Sequence, residues 1–462
     1  MKNRREILKG LRGLVSSGVG KNIQLWAAVA LLYFVLKVGE KFVTSTAYKH
    51  FFGAENTTSD ATIFTMVIGI PWALKVVFGP FLDRFGSRMT WVTVSTVLSV
   101  LLTLAMGIGT SGGLVLMGTI AVLQTLAAAM QDTVMDAIVI EQFDEKKRWL
   151  VLVAVKLVNI AGALIGGSLA WNMVKADASA WLVTCFLMVL VMGVASAAGL
   201  PLLKWGMKVL EKVSDNPVKK EKFRVSLKKL IQRVREDDAL KSFFAFSVLC
   251  LLWCICAGGT VPIQANWFSW LVDDEGLGFS TFNEKAEAMD AILKWGSVVV
   301  AGLMASRIGV KPVLAIAILI TAVGYSSIGL TANAWTETGL LISVALATVG
   351  DGAFQFTMWL AAMSFADRYG YKATVFALLM TFMNVSELIW KAVGGWLAQV
   401  DWLPHFLSNE ALCPELHQRG HEFFVKTGVD WNLGLFVVMG GLVLLALIPL
   451  RYVRFPKKEV KD

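Results

Sequence analysis

The 462 residues are 56% hydrophobic and 17% charged, with 43 Lys and Arg against 34 Asp and Glu for a formal net charge of +9. Soluble domains carry about a quarter charged residues, so a mean hydropathy of +0.64 excludes a soluble multidomain chain and points to a polytopic membrane protein. No Gly-Lys-Ser/Thr phosphate cradle or His-Glu-x-x-His pair occurs, which sets aside ATP drive and the zinc-hydrolase chemistry those motifs carry. An enzyme is not expected.

Residues 1–22 are basic, with Ile7, Leu8, Leu11, Leu14 and Val15 at helical spacing. They read as an uncleaved cytoplasmic amphipathic helix, because no small-residue cleavage site follows. Apolar runs near the ~20 residues that cross a bilayer then recur at 23–45, 61–82, 89–109, 113–140, 149–174 and 178–203. A second set follows at 242–271, 285–305, 312–332, 337–364, 372–400 and 432–450. The expected fold is all-α, with twelve transmembrane helices in two six-helix bundles, 23–203 and 242–455. A basic linker, 204–241, joins them. Within it Phe223, Leu227, Leu230, Ile231 and Val234 share one helical face, as in a helix lying on a membrane surface.

With the N-terminus inside, thirty-two of the 43 Lys and Arg fall in inner segments, twelve of them in 204–241, and five in outer segments. This asymmetry obeys the positive-inside rule and places both termini, including the tail 456–462, in the cytoplasm. It also accounts for the basicity without nucleic acid. A bacterial cytoplasmic (inner) membrane is the expected location, and a monomer the expected state.

The first inner turn reads Gly79-x₃-Asp83-Arg84-x-Gly86-x-Arg88. A shift of 223 residues lands on Gly302-x₃-Ser306-Arg307-x-Gly309-x-Lys311, so the halves are internal repeats, a common transporter design.

Ionisable residues within the spans mark the polar interior, since charge at the bilayer centre costs at least ~2.5–3.5 kcal/mol. They are Lys37, Glu40 and Lys41 (first span), Lys75 (second), Asp132 and Asp136 (fourth), Lys156 (fifth), Asp290 and Lys294 (eighth), Asp351 (tenth), and Glu387 and Lys391 (eleventh). Glu40 and Lys41 lie near enough to the outer interface to snorkel. Asp290/Lys294 and Glu387/Lys391 are i,i+4 pairs able to neutralise locally. Asp132 and Asp136 share one face of the fourth helix, where two close carboxylates favour a shared proton. Asp132, Asp136, Asp351 and Glu387 are therefore the proton-coupling candidates. Lys37, Lys75, Asp351, Glu387 and Lys391 are expected in a solute cavity. Spans three, six, nine and twelve carry no such residue and are expected at the lipid-facing periphery. In the seventh span, Gly258-Gly259-Thr260-Val261-Pro262 can break the helix beside a cavity, with Gln264 and Asn266 facing solute. Cys413, His417 and His421, in the outer loop 401–430, have helical spacing but no fourth ligand, so no metal site is expected. No cofactor is expected either, the proton gradient serving as the energy source.

The Gly79–Arg88 turn resembles the loop signature of the major facilitator superfamily, and its degenerate copy stands where that family has one. Ile70-Pro71-Trp72-Ala73-Leu74-Lys75 resembles the second-helix motif of the AmpG-type muropeptide permeases and their siderophore, acetyl-CoA and folate–biopterin relatives. Gln131-Asp132-Thr133-Val134-Met135-Asp136-Ala137 is similar to their fourth-helix motif. Thr374-Val375-Phe376-Ala377-Leu378-Leu379 with Gly394-Gly395-Trp396 is similar to their eleventh helix. The resemblance implies alternating access between two bundles, a site near the midplane, and an inner gate in which Gly79, Asp83, Arg84, Gly86 and Arg88 take part. It implies a proton-coupled importer of an amphipathic or anionic solute, muropeptide-like or siderophore-like. Export of a toxic amphiphile, and a non-transporting assembly factor or sensor, are the alternatives.

Overall fold

The computed structural model describes residues 18–52, 67–109, 113–143, 145–213, 237–260, 282–330, 336–368, 372–398 and 434–454. Gln264, Asn266, most of the linker, the 401–430 loop with Cys413, His417 and His421, and both tails lie outside these residues. Among the described residues all regular structure is helical, and ten helices are long and apolar enough to cross a membrane. Two further stretches are consistent with twelve spans. The eighth helix, Phe282–Ile308, which is not among the ten, has 27 residues and a length of about 40 Å at 1.5 Å per residue. The second span is described as a helix over 67–73 and another over Lys75–Arg84.

The chain divides into two compact units, residues 1–228 with 371–378, and 229–370 with 379–462. In the first unit, the first span (Gly18–Lys41) packs on the fifth (Glu145–Ala163) through small residues. Between lipid-bathed helices such residues let backbones approach, because apolar burial alone supplies little drive. A side chain at Gly162 would press on Phe34 O at 3.1 Å, and one at Gly166 would run into the Val38 carbonyl. Both helices loosen into π-helical turns just there, Phe42–Ala47 and Leu164–Leu169. The Thr46 hydroxyl lies within donating distance of Gly166 O (2.9 Å) and Gly167 O (3.0 Å), serving carbonyls that a widened turn leaves poorly paired. Phe42, Met106, Trp181, Met188 and Met192 close the core around this contact.

The second unit holds the seventh span (Asp237–Leu252, resuming as Ile255–Gly259), the eighth, the ninth (Val310–Leu330), the tenth (Glu337–Arg368), most of the eleventh (Lys372–Ala398) and the twelfth (Gly434–Tyr452). The seventh helix breaks at Trp253–Cys254, where Cys254 has φ −100° and ψ 15°, ahead of the Gly258–Pro262 stretch, of which Val261 and Pro262 lie outside the described residues. Gly258 and Gly259 stay helical because their missing side chains admit the eleventh helix. A Cβ on Gly258 would sit 3.4 Å from Glu387 O, and one on Gly394 would strike Gly259. The carbonyl released at the break, Leu251 O, accepts from Ser386 Oγ (2.7 Å) and Trp390 Nε1 (2.8 Å).

The repeat is visible in the backbone. Gly86 has φ +73° and Gly309, 223 residues later, φ +91°, a left-handed conformation that glycine adopts without Cβ strain. The peripheral expectation fares unevenly. The third and sixth spans are 39% buried over their most apolar stretch, but the ninth and twelfth are 56% and 50% buried. Absence of charge marks outward-facing helices in the first repeat and not in the second.

Candidate functional site

In the first unit four spans contribute to one buried charged cluster. The second span breaks at Leu74 (φ −82°, ψ 4°), so that a new helix starts at Lys75. The positive end of a helix dipole disfavours a cation and favours an anion. An anion is supplied: Lys75, 2% exposed, forms an ion pair with Asp132 of the fourth span, 3% exposed. Its ammonium also lies 4.6 Å from the centroid of the Trp72 ring. One turn along, Asp136 Oδ1 accepts from the Tyr33 hydroxyl at 2.5 Å, and its Oδ2 is buried with no hydrogen-bond partner. Gln131 Nε2 ties the same face to Leu32 O at 3.0 Å. Lys156 of the fifth span, 8% exposed, lies within electrostatic reach of Asp132, Asp136, Glu40 and Lys37.

Glu40 departs from expectation. It is 9% exposed and does not snorkel, because Lys37 one turn earlier holds it at 2.7 Å. Three ammoniums (Lys37, Lys75, Lys156) stand among three carboxylates (Glu40, Asp132, Asp136), with Lys41 also in electrostatic reach of Glu40, so each buried acid has a counter-charge nearby.

The turn ending the second span is built around Arg88. Its guanidinium donates to Leu82 O at 3.2 Å and pairs with Glu141 at 2.9 Å. Ser87 caps the third helix by accepting from the Thr90 amide at 3.1 Å, and Trp91 Nε1 donates to Phe85 O. Arg84 lies 5.2 Å from the Phe85 ring centroid, and Gly79 is buried in the preceding helix; the side chain of Asp83 falls outside the described set. Arg148, 2% exposed, donates to Ile140 O (3.1 Å) and Phe143 O (3.2 Å), tying down the carbonyl end of the fourth helix.

The second unit carries an open cluster. Asp290 and Lys294 pair at 2.7 Å with side chains 41% and 43% exposed, and Glu387 and Lys391 at 2.7 Å with 45% and 30%. Thr348 donates to Asp290 at 3.2 Å. Asp351 accepts from the Tyr325 hydroxyl at 2.6 Å and lies within electrostatic reach of Lys294 and Asp290. Cys254, beside the seventh-helix break, is in electrostatic reach of Glu387, Asp351 and Lys391. The charged residues of this cluster sit at least a turn inside their helices. Four half-open charges facing hydrocarbon would cost about 10 kcal/mol or more at ~2.5–3.5 kcal/mol each, so this surface faces water. Among the described residues no group of His, Cys, Asp and Glu is arranged to hold a metal.

The sequence expectations missed Tyr33, Tyr325, Glu141 and Arg148. Tyr33 stands four residues before Lys37, a spacing that puts it on the charged face of the first helix, and was the one legible signal among them.

Two units of membrane-length helices, each with its own charged cluster, define a polytopic membrane protein with a transporter's architecture. The chain belongs to the Major Facilitator Superfamily, whose family model matches residues 25–390. No curated protein sequence matches it significantly. Solved structures share its fold at low identity. A bacterial homologue of the iron transporter ferroportin, in an outward-facing state with soaked iron, is 16% identical with a TM-score of 0.60, covering 93% of this chain and 98% of that one. FucP in the outward conformation is 13% identical, TM-score 0.61, covering 93% and 99%. The proton:xylose symporter XylE bound to 6-bromo-6-deoxy-D-glucose is 13% identical, TM-score 0.62, covering 94% and 96%.

Proposed function

We propose that this protein is a proton-coupled secondary transporter of the AmpG-like group, importing an amphipathic or anionic solute of the muropeptide or siderophore kind across a bacterial inner membrane. Both termini are cytoplasmic in this reading, the working unit is a monomer, and the proton gradient supplies the energy. The observation that carries it is the buried pair Lys75–Asp132 one turn from Asp136, whose Oδ2 has no partner. An acid sealed from water, beside a second acid already committed to a lysine, is a place where a proton changes the local charge balance and with it the packing of the second, fourth and first spans. One proton moving down ~100 mV supplies ~2.3 kcal/mol, roughly 50-fold accumulation of a neutral solute. Arg88 and Glu141, held at 2.9 Å, are the gate residues of the first repeat in this scheme.

The test is uptake into proteoliposomes under an imposed proton gradient, with muropeptide, siderophore and acyl-CoA solutes compared. Coupling predicts uptake that collapses on adding a protonophore. Uptake that ignores the protonophore removes the proton from the mechanism.

A further inference from the structure

The two clusters differ in access. Lys75 and Asp132 have side chains 2% and 5% exposed, whereas Asp290, Lys294, Glu387 and Lys391 lie between 30% and 45%. Among the charged pairs described, the more open ones lie in the second unit. Counted with the half-buried Asp351 beside it, that set holds three carboxylates (Asp290, Asp351, Glu387) against two ammoniums (Lys294, Lys391), an excess of one formal negative charge.

The acids are not equivalent. Asp290 and Glu387 are each bound at 2.7 Å by the lysine one turn away. Asp351 is instead bonded by the Tyr325 hydroxyl at 2.6 Å, which orients the carboxylate, and no lysine pairs with it directly among the described residues. The eighth and tenth helices meet closely beside it, where a Cβ on Gly352 would lie 3.4 Å from the Lys294 Cα. Lys294 thus stands next to Asp351, and Cys254 is in electrostatic reach of both Asp351 and the Glu387–Lys391 pair. A purely anionic solute on this surface finds two lysines already engaged and a surplus of like charge. A solute with an amine and an acid group finds a carboxylate for the amine and a nearby ammonium for the acid.

We infer that the open cluster of the second unit is a subsite for an amphoteric solute, one bearing both a free amine and a free carboxylate, with Asp351 receiving the amine and Lys294 or Lys391 the acid group. This rests on the transporter reading above and narrows its solute class, while being independent of proton drive. Binding is therefore measured without a gradient, on the full chain in nanodiscs, using tri-alanine with free ends, its N-acetyl form (acid only) and its C-terminal amide (amine only). The expected result is that free tri-alanine binds at least about tenfold tighter than the N-acetyl form, about 1.4 kcal/mol. Asp351→Asn should bring the ratio to within about twofold while the protein stays monodisperse. Glu337→Gln, at a pair with Lys285 (2.9 Å) outside the cluster, should keep the preference and serves as the folding control. The inference is overturned if the N-acetyl form binds as well as the free peptide, if none of the three binds, or if the preference survives in Asp351→Asn. Those failures would leave the protonophore experiment untouched.

Discussion

Replacing Lys75 by Met keeps most of the side-chain volume and removes only the ammonium, leaving Asp132, 3% exposed, facing a helix that no longer carries its counter-charge. Removing one partner of a buried pair costs about 3–5 kcal/mol, whereas replacing both by apolar groups of similar size is often neutral. For a cooperative unit of about 200 residues, at ~2–4 °C per kcal/mol, the single variant should melt on the order of 10 °C lower. Lys75→Met combined with Asp132→Leu should recover most of that loss. The assay is thermal melting of the detergent-solubilised protein followed by fluorescence-detected gel filtration, with the two singles and the double run together. If the double is no more stable than the singles, or if Lys75→Met melts within ~2 °C of the parent, the pair does not hold the second and fourth spans together as argued. Uptake separates stability from transport: a double variant that melts normally but does not accumulate solute assigns the pair to the mechanism. Normal transport by Lys75→Ala at normal protein levels would make the lysine structural.

Gly166→Ala should destabilise by about 1–3 kcal/mol, since the new methyl meets the Val38 carbonyl and the backbones must separate. Gly441→Ala, where nothing lies within 4 Å, should be neutral, and melting temperatures compare the two. Gly86→Ala and Gly309→Ala should each cost about 1–2 kcal/mol from the left-handed backbone, and Gly86→Ala more, because its Cβ would also meet Trp91 Nε1 at 3.0 Å while nothing lies within 4 Å at Gly309; equal shifts would show that Trp91 gives way. Tyr33→Phe removes the hydroxyl that orients Asp136 and should alter the pH profile of uptake, with expression and melting near normal; an unchanged profile would leave Tyr33 only a packing role.

The elements written by local pattern were legible in the sequence, and those written by helix azimuth were not. Asp290–Lys294 and Glu387–Lys391 are partners because four residues return a helix to the same face, and both form. The charged turn and its copy were legible because glycine has to stand where the backbone is left-handed, and it does so twice, 223 residues apart. That Lys75 meets Asp132, 57 residues on, could be expected only as a lysine-bearing helix near an acid-bearing one. Which carboxylate it takes depends on the break at Leu74 and on how the fourth helix is rotated. Tyr325 and Asp351 are joined across two helices, and nothing local to either announces it. Glu40 was misjudged by counting depth along the axis and ignoring direction around it, since its helix turns it inward toward Lys37. Gly258 and Gly259 pack closely on the eleventh helix, and the break at Trp253–Cys254 has no glycine or proline to announce it.

The seventh-span carbonyl at Leu251 has a mechanical consequence. Two side chains of the eleventh helix, Ser386 and Trp390, grip one oxygen of the seventh at its weakest point, and Trp253 Nε1 reaches back to Met383 O at 2.8 Å. Three hydrogen bonds spread over two turns act as a clamp. A helix interrupted in its middle would ordinarily flex there, yet here its joint is fastened to a neighbour. The eleventh helix and the upper and lower segments of the seventh must therefore swing as one lever, carrying Glu387, Lys391 and Cys254 along the same arc, so that the spacing among those groups is preserved through whatever stroke the unit makes.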